Sequence, residues 1–468
     1  MKKIVSFLIL LFPLLTSAQT QYTLNQCIET AYANNLQVKQ ANLQQQTAET
    51  NYNQAKNNKL PTVSGSYSFG INNGRSIDPF TNGYINQQLS SSNAAISASF
   101  VVYNGGRLQN TVKQNEFLLQ ANKADVQQEK DNLALSIMLA YLQVLNNEDV
   151  FKLANTQVDV TKKQLERLEI LNKNGALQPT ILYDMKAQLA TDELSIINAQ
   201  NALESSKLTL LQWMNQPYDK NIQLEKIELT PSVLTPYEAS SKAIYDAATR
   251  HLAIIKAAEL RQQSTGIGIK LAESNYYPTV SLFGQLGTNY SSAAQLLTAR
   301  GTADIPTKSF VNVNSNQYAV VDRQTVYESS KINYFSQFNN NLNSYVGVNI
   351  QVPIFNAFQT KSRVALAKIQ AQTAAVATDN VKRQLNQAIE QAHLNMQATY
   401  NRYVVINQQV NAFEQSFNVA EKRFTEGVIH SVDYLIVKNN LDRAKANLIN
   451  ARYDYLLRIK VLDFYRGK

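Results

Sequence analysis

Few residues in this chain have the types and spacing that chemistry requires. Its three histidines, His251, His393 and His430, are scattered, and none has a second ligand three or four residues on that would make a metal site convincing, so no metal site is expected. The single cysteine, Cys27, forms no disulfide within the chain. There is no Walker loop, no G-x-S-x-G elbow and no cysteine–histidine nucleophile. Gly105-Gly106 reads as a strand-to-helix turn before it reads as a phosphate cradle, and His430 as an exposed turn residue. No cofactor is expected, and an enzyme is the least supported class, because nothing supplies an acid, a base and a nucleophile at one place.

Charge and composition narrow the remaining classes. The formal charge is +9, or +7 once Lys2 and Lys3 are removed, and no run of five or six basic residues occurs. Such a spread describes solvated helix faces, so no nucleic-acid partner is expected. Residues 1–18 read as a cleaved secretory signal: Lys2 and Lys3, an apolar stretch from Ile4 to Leu15, then Thr16-Ser17-Ala18. No later segment approaches the roughly 20 apolar residues of a transmembrane helix. A membrane-embedded part would therefore have to be built of strands. With only 15 glycines, the chain should be mostly helix.

The elements that position any site come in two copies. Tyr103 to Trp213 lies over Phe355 to Tyr465 at a constant offset of 252, and Leu60-Pro61-Thr62-Val63-Ser64 returns as Tyr277-Pro278-Thr279-Val280-Ser281 at an offset of 217. The difference is a 35-residue insertion between Ser281 and Phe355. Expected boundaries are a first repeat at 19–228, a linker at 229–236 and a second repeat at 237–468. Each repeat should begin with a helix, continue as a strand pair (62–103, 279–355) and end as a long helical hairpin (104–228, 356–468).

From Asn104 to Asn174 no proline occurs and glycine only at the start, which gives a helix of roughly 105 Å; Asn356 to Glu426 is its partner. Leu133, Ile137, Ala140 and Val144, like Leu385, Ile389, Ala392 and Met396, keep a heptad that calls for left-handed supercoiling. Asn147 and Thr161 interrupt it in the first half and Thr399 in the second. Gly175 and Gly427 stop the long helices, and Pro179 opens the return helix.

Between Leu60-Pro61 and Asn104 the period changes to two. Val63, Gly65, Tyr67 and Phe69 alternate with Ser64, Ser66 and Ser68; Ile96, Ala98, Phe100 and Val102 alternate with Ser97, Ser99 and Val101. In the second half Val280 to Gly287 is less regular, and Val346, Val348, Ile350 and Val352 alternate with Tyr345, Gly347, Asn349 and Gln351. Such segments look like membrane-barrel strands, yet four per chain are too few to close a barrel. The connections, Ile71 to Asn93 and residues 288–342, are read as polar loops on the outer side.

In this order, and duplicated at fixed spacing, these motifs resemble the outer membrane efflux protein family, the TolC-like channels. The resemblance covers essentially the whole mature chain. It rests on the Leu60-Pro61 and Tyr277-Pro278 strand entries, the Tyr103-Asn104-Gly105-Gly106 and Phe355-Asn356 joints, and Arg423-Phe424-Thr425-Glu426-Gly427 followed by Asp433-Tyr434-Leu435. It implies a mainly α fold with a small β part: a homotrimer whose four strands per chain make a twelve-stranded outer-membrane β-barrel, continued by an α-helical hairpin barrel through the periplasm of a Gram-negative bacterium. The implied function is the passive exit channel of a tripartite efflux or type I secretion system, embedded in outer-membrane lipid.

The same resemblance implies the sites. The hairpin tips, Asn174, Gly175, Ala176 and Leu177 with Glu426, Gly427, Val428 and Ile429, would dock a periplasmic adaptor (membrane fusion protein) carried by an inner-membrane transporter. Asp433 matches an acidic position at the constricted periplasmic entrance. A second acid expected three residues later is Ile436 here, whereas its repeat mate in the first half is Asp184, so one acidic ring from each hairpin is the expectation. Solvated helix-N-terminal acids are the bland reading of both. The alternative function is a periplasmic coiled-coil adaptor or a structural protein without a pore.

Overall fold

The computed structural model describes residues 21–78, 82–175, 178–227 and 234–467. The signal segment, most of the 229–236 linker, and Ala176 and Leu177 of the first tip lie outside them. Two compact units form: a helical one from residues up to 50, 116–265 and 370 onward, and one holding the sheets, from 51–115 and 266–369.

The same series of elements occurs twice. Helices α1 (Leu24–Asn34) and α2 (Leu36–Asn57) precede strand β1 (Thr62–Asn72), the short β2 (Arg75–Ile77) and β3 (Tyr84–Asn86), strand β4 (Leu89–Asn104), and the hairpin of α3 (Arg107–Lys173) and α4 (Pro179–Trp213). Helices α5 (Ser241–His251) and α6 (Ala253–Glu273) precede β5 (Thr279–Ser291), β6 (Gln295–Val313), β7 (Asn316–Lys331), α7 (Tyr334–Asn340) and β8 (Asn343–Gln351). The second hairpin is α8 (Gln359–Thr425) and α9 (Ser431–Arg466). Both α3 and α8 have 67 residues. Thr23 caps α1 in a capping box and Ser240 caps α5, and each helix is ended by one extended residue, Asn35 or Leu252.

The helical unit is held by duplicated cores. Cys27, Ala31 and Ile137 lie in one cluster with Tyr141, Leu145 and Leu210; Ile244, Ala248 and Ile389 lie in another with Tyr455 and Leu462. At the repeat offsets Cys27 takes the place of Ile244. It is a fully buried core side chain, and burial pushes its thiol up to about 11.

In the other unit β1, β4, β5 and β8 make one antiparallel sheet in the order β1-β4-β5-β8. Register puts Val63, Tyr67, Phe69, Ala94, Ile96, Ala98, Phe100, Leu282, Leu286, Val346, Val348 and Ile350 on one face. Ser64, Ser66, Ser68, Asn93, Ser97, Ser99, Gln285, Asn349 and Gln351 share the other. Hydroxyl pairs run across the polar face, Thr62 to Ser99 at 2.8 Å and Ser64 to Ser97 at 2.9 Å.

Three details differ from the sequence expectation. First, the long helices start later. β4 runs through Asn104, and Gly105 and Gly106 both take positive φ, +65° and +76°, so α3 begins at Arg107. At the repeat positions Ala357 and Phe358 adopt the same left-handed backbone, +51° and +60°, without glycine. Second, the register slips between Val101 and Tyr103, which puts Val102 in a bulge, and β8 stops before Val352. Third, residues 288–342 are not simply a loop. β6 and β7 pair along nearly their whole length as a two-stranded ribbon, followed by α7. Nearly all of the ribbon's side chains are exposed, so it lacks the in–out alternation by which strands are read.

Candidate functional site

The second hairpin turns through a complete Schellman motif. The Val428 amide donates to the Arg423 carbonyl at 2.8 Å and the Gly427 amide to the Phe424 carbonyl at 3.1 Å. Gly427 has φ +76°, and a Cβ there would meet nothing within 4 Å, so only the backbone conformation demands glycine. The first hairpin repeats the inner bond, Gly175 amide to Asn172 carbonyl at 3.0 Å, with φ +67°. Pro179 opens α4 without a side-chain cap at Gln178.

Within the helical unit the two tips are tied together twice. Arg167 Nη2 on α3 donates to the Thr425 carbonyl, the last of α8, at 2.9 Å; a cation at a helix C-terminus also meets the negative end of the dipole. Ser431, the first residue of α9, donates its hydroxyl to Asp184 Oδ2 on α4 at 2.8 Å. Beneath these ties Leu168, Leu182, Met185 and Tyr434 form an apolar plug, with Tyr434 stacked on Phe424 at 4.5 Å. A cavity of about 340 Å³ opens beside it, lined by Arg167, Leu171, Gln178, Ile181, Gly427, Ile429 and His430.

Each expected entrance acid directly precedes a residue of this plug, Asp433 before Tyr434 and Asp184 before Met185. Asp433 is exposed in the first turn of α9, next to the buried Tyr434. Asp184 is half-buried, with one oxygen held by Ser431. Among the described contacts the two carboxylates are not joined, and no metal-holding cluster occurs among the described residues. Asn174, Gly175, Glu426, Gly427 and Val428 are exposed at the two turns and Ile429 is half-buried.

Above the tips lies a polar cluster that the sequence reading did not assemble. Lys438 on α9 is 2% exposed and its Nζ lies 3.0 Å from Asp192 Oδ2 and 2.6 Å from Asp442 Oδ2. Asp192, on α4, also accepts from Thr161 on α3 at 2.5 Å and from Gln188 at 2.7 Å. Gln188 and Asn439 exchange two further bonds, at 3.0 and 3.1 Å. Burial raises the Asp442 carboxyl above its usual 3.8, with Lys438 opposing the shift. Thr161 was the visible signal: a polar residue at a heptad position, here fully buried as a donor. Asn147, the other interruption, instead donates to the Ala202 carbonyl of α4 at 3.0 Å, and Thr399 bonds back within its own helix.

Long supercoil-patterned hairpins, an antiparallel sheet with one apolar and one polar face, and a duplicated element order define a class: outer-membrane channels with a helical extension. The chain belongs to the outer membrane efflux protein family, which matches residues 27–216 and 243–467. It is 25% identical over 342 residues to outer membrane protein TolC of Vibrio cholerae, covering 73% of this chain and 69% of that one. TolC of Escherichia coli is 24% identical over 71% of this chain, which spans 60% of that relative's length. Among solved structures, the outer membrane protein VceC of Vibrio cholerae superposes with a TM-score of 0.73 at 18% identity, over 95% of this chain and 94% of that one. The chain is thus an outer-membrane efflux channel, and the alternative of an adaptor or spacer without a pore gives way. The family is one of channels and not of enzymes.

Proposed function

We propose that three copies of this chain form one passive duct. The observation that carries this reading is the sheet: four strands, polar on one face and apolar on the other, with β1 and β8 as its outer strands. Unpaired strand edges are not tolerated in hydrocarbon, where every backbone group must be satisfied by protein. Pairing β1 of one copy with β8 of the next continues the antiparallel order and closes twelve strands, polar face inward. The hairpins then extend the lumen into the periplasm, and their tips, Asn174 to Leu177 and Glu426 to Ile429, are the docking ends for a periplasmic adaptor and its inner-membrane transporter. The energy and most of the substrate choice belong to that pump.

In this assembly Asp433, with Asp184 from the other hairpin, surrounds the periplasmic entrance. Three copies of an exposed carboxylate around a narrow opening concentrate cations. The test is conductance in a planar bilayer: the native channel should be blocked by divalent cations, and Asp433→Ala should weaken that block by about tenfold or more. Block unchanged by the substitution removes Asp433 from the entrance.

A further inference from the structure

On the apolar face of the sheet, α7 packs where a plain lipid-facing wall would need nothing. Asn333 caps it, accepting from the Ser336 amide at 2.7 Å. The Tyr334 hydroxyl lies 3.0 Å from that of Ser92 and 3.2 Å from that of Tyr67, and its ring stands against Tyr290 at 4.7 Å and Phe338 at 4.5 Å. Thr288 donates to the Phe338 carbonyl at 2.6 Å. By register Tyr67, Ser92, Thr288 and Tyr290 all belong to the apolar face.

Strand β4 measures how high this helix sits. From Asn104, at the helix-side end, to Ser92 is twelve residues; at about 3.4 Å each and a tilt of about 40° they rise roughly 31 Å, one hydrocarbon thickness. Tyr103, Tyr277 and Phe355 stand at the lower end, and Tyr290, Tyr334, Phe335 and Phe338 at the upper. Two aromatic belts at that separation mark the two membrane interfaces, which puts α7 at the outer headgroup level. Directly beneath it the apolar face is hollowed into a groove of about 470 Å³, lined by Gly65, Tyr67, Ala94, Ile96, Leu286 and Leu342. Gly65 and Ala94 make the hollow: a Cβ on Gly65 would meet nothing within 4 Å.

We propose that this groove seats one acyl chain of an outer-leaflet lipopolysaccharide, with α7 as its rim. The groove is continuous with the lipid-facing wall and lies on the face of the sheet. Neighbouring copies would pair at the edges β1 and β8, so hydrocarbon is what meets it. The outer leaflet of this membrane is built of lipopolysaccharide, and Lys331, exposed at the end of β7 three residues before Tyr334, adds a positive charge beside α7 that suits its phosphates. The inference rests on the outer-membrane reading of the sheet.

The experiment extracts the full-length protein from outer membranes in mild detergent, washes it free of bulk lipid, and measures retained 3-hydroxy fatty acids and phospholipid per chain. Native protein should keep about one lipopolysaccharide per chain. Ala94→Phe, which fills the groove, should lower this about tenfold, whereas Val348→Phe, on the same face but two strands away, should leave it unchanged. If Ala94→Phe fails to reach the membrane, Leu342→Ala, which opens the rim, is read in its place and should lose several-fold. No retained lipopolysaccharide, phospholipid alone, or equal losses in the groove and Val348 variants would overturn the proposal. Absence of the native protein from the outer-membrane fraction would instead sink the channel reading on which it rests.

Discussion

Lys438, Asp192 and Asp442 carry the heaviest electrostatic commitment in the helical unit. A buried charge tolerates the exchange of its whole pair for apolar residues far better than the loss of one partner. Lys438→Met alone leaves Asp192 buried with only the Thr161 and Gln188 bonds, and should cost about 3–5 kcal/mol. Lys438→Met combined with Asp192→Leu and Asp442→Asn, which removes both carboxylates that Lys438 pairs with, should recover most of that loss, read as the thermal midpoint in detergent; a triple variant as unstable as the single one contradicts the assignment. The pH dependence has a definite sign. The folded-state pKa of Asp442 is raised above 3.8, so in the window upward from there the folded chain binds more protons than the unfolded one, and stability falls as pH rises. Asp442→Asn should remove that slope. At this scale the sequence was partly legible: Thr161 announced itself as a polar residue on an apolar seam. Its partners did not, since Asp192 and Lys438 lie on other helices and look like ordinary surface charges until those helices pack. Asp433 and Asp184 entered only through family resemblance; the fold leaves the first exposed and ties the second to Ser431.

Elements were read best where one period ran long. The two 67-residue helices follow from their heptads and from the lack of proline, and the sheet strands from their alternation of apolar residues with serine and asparagine. The β6–β7 ribbon escaped because both of its faces meet solvent, so no face needs to be apolar and no period appears. The strand-to-helix joints show the converse, one backbone solved by two residue choices. At Gly105 a Cβ would lie 2.6 Å from the Ser274 carbonyl oxygen, on top of a positive φ, so Gly105→Ala should destabilise the protein by about 2 kcal/mol or more. At the repeat position Ala357→Gly should relieve a left-handed alanine and stabilise by up to about 1 kcal/mol. Denaturation midpoints of the two variants moving in opposite directions would bear this out; a neutral Gly105→Ala would refute the close approach.

At the scale of the whole molecule, the strand count does what no single site can. A sheet of four strands with one face made for lipid and the other for water is an unfinished object, and in the proposed trimer two further copies of the chain would finish it. Duplication within the chain and the proposed repetition between chains follow the same logic, since a ring of hairpins from three copies would enclose the lumen. The long β5–β8 connection that holds the ribbon and α7 sits at the loop end and lies outside the edge strands β1 and β8. The most direct measurement is the native mass of the full-length protein extracted from outer membranes in mild detergent. The account predicts a mass three times that of the mature chain; a monomer or dimer that stays soluble without detergent would contradict it.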